Sequence, residues 1–223
     1  NPDAPMKDSG IDWIGQIPAH WEVKPLKWMA EAFGRIGFRG YSATDLVDAG
    51  EGAITLSPSN LSDDEMNYKK CSYLSWEKYE ESPEIQIFDG DLLIVKTGST
   101  FGKTGYVRSL PSAATINPQL VVLKNLKCDS EFLYNVLSSL QTQSEIKRRV
   151  IGSTIPTISE SRLLGIKLPI PDAEEQWAIV NLIKQDGGKI LSAISIKESQ
   201  ITALKEYKAS LINAAVTGKI KVI

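Results

Sequence analysis

The sequence has few of the residues that most metal and catalytic centres require. It contains two cysteines, Cys71 and Cys128, and one histidine, His20. A structural zinc site takes four ligands, so these three isolated residues cannot form one by themselves. Because the cysteines are far apart in sequence, we expect two reduced thiols in a cytoplasmic protein. His20 has no catalytic partner nearby in sequence and is expected to be structural rather than a general base.

Long apolar runs are also missing, so no membrane span is predicted, since one would need ~18 consecutive apolar residues. The opening NPDAPMKDSG lacks the charged-then-apolar pattern of a secretory signal. It also lacks an initiator methionine, which suggests a processed or excised piece. The 223 residues are enough for one large domain, or for one domain plus an extension, and a content of 42% hydrophobic and 23% charged residues is that of an ordinary soluble protein.

Neither sign of charge dominates, because the formal net charge is only −2. Residues 51–87 hold eight acids against three bases, whereas residues 88–168 hold six acids against ten bases. A basic middle beside an acidic flank is compatible with a face that binds an anion. It is equally compatible with an ordinary solvated surface.

The hydrophobic pattern predicts an α+β fold with a globular mixed α/β domain over residues 1–171. AITLS, TGYV, NPQLVVLK and GIKLPIP are strand candidates. EIQIFDGDLLIV predicts a hairpin in which Ile85 and Ile87 precede an Asp89-Gly90 turn. Residues 129–150 then predict one amphipathic helix, capped by Asp129 or Ser130. On that helix one apolar face is formed by Leu133, Val136, Leu137 and Leu140.

A long helical arm is predicted over residues 172–223. Asp172 is a plausible N-cap, with Glu175 close to a capping-box position, and Gly187-Gly188 is expected to interrupt the helix. A heptad-spaced seam follows, formed by Ile190, Ile194, Lys197, Ile201, Leu204, Lys208, Leu211 and Ala215. At ~1.5 Å per residue this helix is roughly 40 Å long. An apolar stripe this narrow predicts that the helix packs against a partner helix.

The segment IVKTGSTFGKTGYV is close to a phosphate-wrapping loop, G-x-x-x-x-G-K-[ST], but one residue is missing between Gly98 and Gly102. Such a loop also needs a helix after Thr104, where this sequence has two β-formers and Pro111. A nucleotide-dependent enzyme built on Lys103 therefore remains a minor alternative, and no cofactor is predicted.

Several loops share small polar and basic side chains, a composition that suits DNA. The candidate DNA-binding residues are Arg35, Arg39, Tyr41, Ser59, Asn60, Lys96, Thr97, Ser99, Thr100, Lys103, Asn117, Gln119, Arg148, Arg149, Ser153, Thr154 and Thr157. Phosphate contacts are expected from Lys96, Lys103, Arg148 and Arg149. Base readout is expected from Arg39, Tyr41, Asn60, Asn117 and Thr154. Any one of these loops is also compatible with an ordinary polar surface.

Four segments of the sequence carry a resemblance to a known family: DSGIDWIGQIPAHWEVKPLK, FDGDLLIVKTGSTFGKTGYV, GSTIPTISESRLLGIKLPIPDAEEQWAIV and KEYKASLINAAVTGKI. With these segments, almost the whole chain resembles one half of the specificity (DNA-recognition) subunit of type I restriction-modification systems. The P-x-x-EQ element of that family is read here as Pro171, Glu174 or Glu175, and Gln176.

The resemblance implies a non-catalytic subunit whose recognition domain reads one half of a split target in double-stranded DNA. It also implies helical arms that pair antiparallel, space the half-sites and dock methyltransferase (modification) and ATP-dependent restriction subunits. Because this chain has one domain and one arm, we expect an antiparallel homodimer through Ile190, Ile194, Ile201, Leu204 and Leu211. The alternative is a non-catalytic scaffold whose arm binds partner proteins.

Overall fold

The computed structural model describes residues 4–62, 66–150 and 155–220. Two compact units are present: a globular unit, residues 1–177, and an arm, residues 178–223. The described part is α+β, as predicted, with sheets in the globular unit and a long helix at the end.

The strands of the globular unit are short, and within the described residues they form two four-stranded sheets and two two-stranded sheets. In chain order the strands are β1 Met6–Asp8, β2 Gln16–Pro18, β3 Glu22–Pro25, β4 Glu31–Gly34, β5 Leu46–Val47, β6 Gly52–Leu56, β7 Ser72–Ser75, β8 Leu92–Val95, β9 Thr104–Tyr106, β10 Ala114–Ile116, β11 Leu120–Lys124 and β12 Lys167–Ile170.

The central sheet has the order β4-β11-β8-β9, and all its neighbours are antiparallel. Every residue of β8 is buried, which explains its continuous apolar run. Leu92 and Ile94 belong to one hydrophobic cluster, and Leu93 and Val95 belong to the other. Because successive side chains point to opposite faces of a strand, β8 contributes to both cores.

The second sheet has the order β10-β6-β7-β5 and contains a parallel pair, β10 with β6. Parallel neighbours need a crossover connection, so residues from two distant parts of the sequence meet here. The two-stranded sheet β12-β3 joins the end of the globular unit to its beginning.

The helices are α1 Trp76–Glu80, α2 Ser130–Ser138, α3 Leu140–Arg148, α4 Glu160–Leu164 and α5 Ala173–Val216. The prediction of a single helix over residues 129–150 is therefore wrong, because the helix is interrupted at Ser139. That residue is extended (φ −63°, ψ 148°), and its side chain accepts a hydrogen bond from the Thr142 N–H. Beyond the break Leu140 is 83% exposed and does not join the predicted apolar face. The predicted cap at Asp129 is confirmed, since its side chain accepts from the Phe132 N–H.

The predicted strand through Ile85 and Ile87 is also wrong. Residues Pro83–Ile85 form a 3-10 turn, and Ile87 makes only an isolated bridge to Ala114. Both isoleucines are nevertheless buried in the core. Alternating apolar residues here mark burial rather than a strand of the sheet.

The long helix α5 has 44 residues and continues through Gly187-Gly188, so the predicted interruption is wrong. No atom would lie within 4 Å of a Cβ at either glycine, so tertiary packing does not require them. The predicted N-cap is confirmed by the Glu175 N–H, which donates to Asp172 Oδ1 at 2.9 Å. Among the described helices, none combines the length and apolarity of a membrane span.

Candidate nucleic-acid interface

The predicted DNA-binding loops meet at one edge of the central sheet. Strand register shows this, because Val95, the last residue of β8, lies opposite Leu120, the first residue of β11. Gly34, the last residue of β4, lies opposite Val121. The segments that follow β4 and β8 and the segment that precedes β11 therefore share an edge.

The second sheet adds its loops to the same edge. The parallel strands β6 and β10 end together, and the Asn117 N–H donates to the Leu56 carbonyl at 2.8 Å. From β10 the chain reaches β11 through only three residues, so both sheets contribute to one surface. We call this surface the loop edge; it comprises residues 35–41, 57–60, 96–103, 117–119 and 155–160.

The glycine-rich segment of the loop edge is the turn of a β-hairpin. Gly98 and Gly102 have φ values of 116° and 85°, which L-residues with side chains rarely adopt. The Gly102 N–H donates to the Val95 carbonyl at 2.9 Å, so the loop returns directly to the sheet. The following residues form strand β9, where a P-loop would lead into a helix N-terminus. This segment exposes hydroxyls and backbone at a turn between antiparallel strands.

A loop distant in sequence pairs with the glycine-rich segment. Thr97 and Thr157 form an antiparallel bridge, with their hydroxyl oxygens 3.2 Å apart. The Ile158 N–H donates to the Lys96 carbonyl at 3.1 Å. The predicted DNA-binding loops around Thr97 and Thr157 therefore lie side by side and form one surface. The predicted contacts Ser153 and Thr154 lie outside the described residues.

Lys96 lies in an ion pair at the loop edge. Its Nζ donates to Glu160 Oε1 at 2.9 Å. Burial alone would raise the pKa of the Glu160 carboxyl, but the hydrogen bond and charge of Lys96, with a backbone hydrogen bond, lower it below the usual value. The pair lies against Gly34, where a Cβ would be 2.5 Å from Glu160 Oε1. Gly34 leaves the space that the ion pair occupies.

Arg35 was predicted to contact DNA, but the structure places it inside the protein at 6% exposure. Its guanidinium donates to the Ile116 carbonyl at 3.1 Å and to the Thr115 hydroxyl at 3.0 Å. It also donates to the Arg39 carbonyl and lies 5.1 Å from the centre of the Tyr41 ring. Burial lowers the pKa of Arg35 and raises that of Tyr41. Arg35 therefore holds the 35–41 segment in place.

Asn60 is buried as well, and its amide holds its own loop. Its Oδ1 accepts from the Ser57 N–H at 2.8 Å, and its Nδ2 donates to the Asn67 carbonyl at 2.9 Å. Neighbouring Ser59 is exposed, with its hydroxyl 2.8 Å from that of Ser57. Base readout by Asn60 would require these bonds to break, so its position favours a role in holding the loop.

Among the described residues, the other predicted base readers, Arg39, Tyr41 and Asn117, are partly exposed. Arg39 Nη1 pairs with Glu84 Oε1 at 3.2 Å. The Asn117 side chain accepts from the Gln119 N–H at 3.0 Å, and its amide nitrogen lies 3.1 Å from Gln119 Oε1. Asn117 and Gln119 therefore form a small amide unit between the two sheets.

A basic cleft of about 470 Å³ lies beside the glycine-rich segment. Lys103 and Lys147 are both part of its wall. The remaining lining includes hydroxyl, amide and aromatic groups of Ser99, Thr100, Phe101, Thr104, Tyr134, Ser138 and Gln143. Sequence reasoning missed Lys147, although it stands directly before the two arginines that were chosen.

Arg148 and Arg149 have different surroundings. The Arg148 side chain is 68% exposed, and its guanidinium is 3.9 Å from Glu145. Arg149 Nε donates to Glu145 Oε1 at 2.7 Å, and a further nitrogen donates to the Arg162 carbonyl. Arg148 is thus the more available of the two for a phosphate.

The P-x-x-EQ element forms a clamp at the start of α5. Glu175 Oε2 accepts from Trp21 Nε1 and lies 2.7 Å from His20 Nε2. Gln176 Oε1 accepts from the Asp129 N–H, and Gln176 Nε2 donates to the Pro171 carbonyl, both at 2.9 Å. Glu175 therefore ties the N-terminal segment to α5 instead of completing a reciprocal capping box, and His20 gains a partner far away in sequence.

Both cysteines are free. Burial raises the pKa of the Cys128 thiol to about 11 and also raises that of Cys71, so neither has the thiolate character of a reactive cysteine. Within the described ranges, no group of three or more histidine, cysteine, aspartate or glutamate side chains is placed to hold a metal ion.

Comparison with known proteins identifies the class to which this fold and surface belong. The profile of the family described as type I restriction modification DNA specificity domain matches residues 38–205. The chain belongs to that family.

Individual relatives extend the similarity over nearly the whole chain. The type I restriction enzyme MjaVIII specificity subunit of Methanocaldococcus jannaschii is 27% identical over 214 residues, which are 94% of this chain and 48% of that protein. The chain thus spans about half the length of this curated relative.

Solved structures share the fold. One chain of a type I R-M system, from a study of complex assembly and conformational transition, has a TM-score of 0.73 at 18% identity and covers 94% of this chain. The HsdS subunit of Thermoanaerobacter tengcongensis has a TM-score of 0.67 at 17% identity and covers 96%. In each case this chain corresponds to 48% of the solved chain.

Proposed function

We propose that the chain recognises one half of a bipartite target in double-stranded DNA and directs type I methyltransferase and restriction subunits to it. The observation that carries this proposal is the loop edge, where polar loops from both sheets meet on a fold of the specificity family. Phosphate contacts position a protein on DNA, whereas side chains that reach base edges specify the sequence.

The proposed roles follow the placement of each side chain. Lys103 and Lys147 in the basic cleft, with the exposed Arg148, are assigned to phosphates. Ser99 and Thr100 add hydroxyl donors from the glycine-rich segment. Readout of bases is assigned to polar groups in the middle of the loop edge: Arg39, Tyr41, Asn117 and Gln119. Arg35 and Asn60 support these loops from beneath.

We further propose that two copies pair antiparallel through the arm. The apolar residues of the seam, among them Ile190, Ile201 and Leu204, are exposed in the single chain. Pairing would give one complex two recognition units, which a split target needs. Lys197 and Lys208 interrupt the seam, and an antiparallel register lets such lysines approach acidic residues of the other copy, for example Glu198 and Glu206.

A salt titration of DNA binding tests the proposal. Affinity for duplex DNA should fall steeply as salt rises, because cations on the protein release counterions from the phosphates. Lys103→Ala should weaken binding to all sequences alike and lower the salt slope by about one. Lys127→Ala is the matched control: this exposed lysine follows β11 at the end opposite the loop edge, and the slope should not change. Salt-independent binding would contradict the proposal.

An interaction scaffold is the second candidate, and the exposed apolar seam of the arm favours it. Co-expression with a type I methyltransferase subunit from the same source separates the two functions. A split, palindromic set of methylated adenines would support recognition by a homodimer. A complex that forms without new methylation would favour the scaffold.

A further inference from the structure

The loop edge contains a carboxylate that a phosphate-binding surface does not explain. Glu160 begins α4, directly after the loop that pairs with Thr97. It lines a cleft of about 430 Å³ together with Lys96, Gly34, Ile36 and other residues. A carboxylate repels phosphates, so on the proposed DNA-facing surface Glu160 is better suited to a hydrogen-bond donor than to the DNA backbone.

The ion pair offers a donor and an acceptor side by side. Lys96 Nζ and Glu160 Oε1 are 2.9 Å apart, and the two side chains are 18% and 37% exposed. Lysine has three N–H donors, and a carboxylate has about four lone-pair sites, so each group has capacity for a second bond. The lowered pKa of Glu160 keeps it ionised at neutral pH, where it accepts hydrogen bonds and donates none.

Adenine has the complementary arrangement in the major groove. Its N7 is an acceptor and its N6 amino group is a donor, which is why an Asn or Gln amide reads adenine with two bonds. Guanine presents acceptors at both N7 and O6, so its O6 would face the carboxylate without a donor. Cytosine also offers an amino donor to a carboxylate, at N4, but the acceptor beside it is O6 of the paired guanine rather than an atom of the same base, and thymine presents the O4 acceptor.

The geometry points to the Lys96–Glu160 pair as a reader of one adenine, with Lys96 donating to N7 and Glu160 accepting from the N6 amino group. This inference rests on the proposed DNA recognition and deepens it. It assigns Lys96 to a base rather than to a phosphate. Gly34 supports the role, because a side chain there would collide with both charged groups.

The experiment selects bound duplexes from a random library with the unaltered chain and with Glu160→Ala. The unaltered chain should select a motif that contains adenine at a position where Glu160→Ala no longer discriminates. Loss of the Glu160 bond to the N6 amino group predicts a fall in discrimination on the order of ten-fold at that position, with the other positions unchanged. Glu131→Ala is the control, since it also removes a carboxylate paired to a cation, Arg108, but at the other end of the sheet.

A base analogue then separates readout from a structural effect. Replacing that adenine by purine without the 6-amino group should weaken binding of the unaltered chain on the order of ten-fold but leave Glu160→Ala unaffected. An unchanged motif in Glu160→Ala, a lost position that is not adenine, or equal sensitivity of both chains to the analogue would overturn the inference alone. If the unaltered chain selects no sequence, the proposed DNA recognition itself fails.

Discussion

The globular unit buries its leucines and isoleucines, whereas the arm leaves them exposed. Leu92, Leu93 and Ile94 of β8 are fully buried, but Ile190, Ile201 and Leu204 of the arm are all more than half exposed. Apolar burial contributes ~25 cal/mol per Å² to folding, so the globular unit has a core of its own. The arm has a regular apolar seam but, as a single helix, no second surface of its own to cover it, and the proposed pairing of two copies would bury that seam.

The largest expected effect is on the core of the globular unit. Leu123→Ala should destabilise folding by about 2–5 kcal/mol, because the residue is fully buried and its loss leaves a cavity. Urea unfolding, followed by tryptophan fluorescence, measures this. Leu140→Ala is the control, since that exposed leucine should change stability by less than about 0.5 kcal/mol. Equal effects would show that Leu140 is buried in solution.

The second prediction tests whether the exposed apolar seam of the arm is buried by pairing of two copies. Leu204→Glu should convert the dimer to a monomer, because each copy loses a buried leucine worth about 1.5–3 kcal/mol and gains a charge in the seam. Light scattering at micromolar concentration measures the mass. Ser199→Glu places the same charge on the opposite face of the helix and should leave the dimer intact. A monomeric unaltered chain, or an unchanged mass for Leu204→Glu, would refute the seam.

A smaller effect is expected where α5 joins the globular unit. Gln176→Ala should cost about 1–3 kcal/mol, because the Asp129 N–H and the Pro171 carbonyl both lose their side-chain partner. Gln176→Glu retains an acceptor for the Asp129 N–H, but it loses the donor to Pro171 and places a buried charge against that carbonyl, so it should be no more stable than Gln176→Ala. A denaturation midpoint that is the same in all three chains would show that the clamp does not stabilise the unit.

The smallest expected effect is the pH dependence of the Lys96–Glu160 pair. The folded-state pKa of Glu160 is lowered from 4.5, so the stabilisation is present above that value and is lost as pH falls through the folded-state pKa. A partly exposed pair contributes less than about 1 kcal/mol. Glu160→Gln should therefore be less stable than the unaltered chain at pH 7 and equal to it well below pH 4.5. A difference that persists at low pH would assign the effect to packing.

Local pattern was sufficient where a segment's environment follows from its own residues. The strands around Ala53, Leu92 and Leu120, the cap at Asp129 and the long amphipathic helix were all predicted. Local pattern failed where contacts with residues distant in sequence determine the structure of a segment. The break at Ser139 is stabilised by Gln143, whose Nε2 donates to the Leu137 carbonyl at 2.7 Å and also to the Gly102 carbonyl. The apolar periodicity of residues 129–150 gives no information about the contact between Gln143 and Gly102.

The candidate site shows the same limit. The composition of the loops predicted most of the candidate site, but it could not distinguish a buried side chain from an exposed one. Arg35 points inward, where its guanidinium donates a hydrogen bond to the hydroxyl of Thr115, 80 positions away. Glu160 was overlooked because its partner Lys96 is 64 positions away, and a single glutamate at a helix start has an ordinary local role. Such pairings are properties of the topology, which no local window contains.

The pairing of β12 with β3 also has a consequence for synthesis on the ribosome. Lys167–Ile170 pairs with Glu22–Pro25 in a two-stranded sheet, so β3 has no partner strand in that sheet until nearly the whole globular unit has been synthesised. Contacts this far apart in sequence form late and slowly, because the intervening chain must first be ordered. The emerging polypeptide therefore exposes unpaired strand edges until residue 170 has left the ribosome, when the first turns of the arm are following. We expect the nascent chain to need its longest protection by chaperones in that interval.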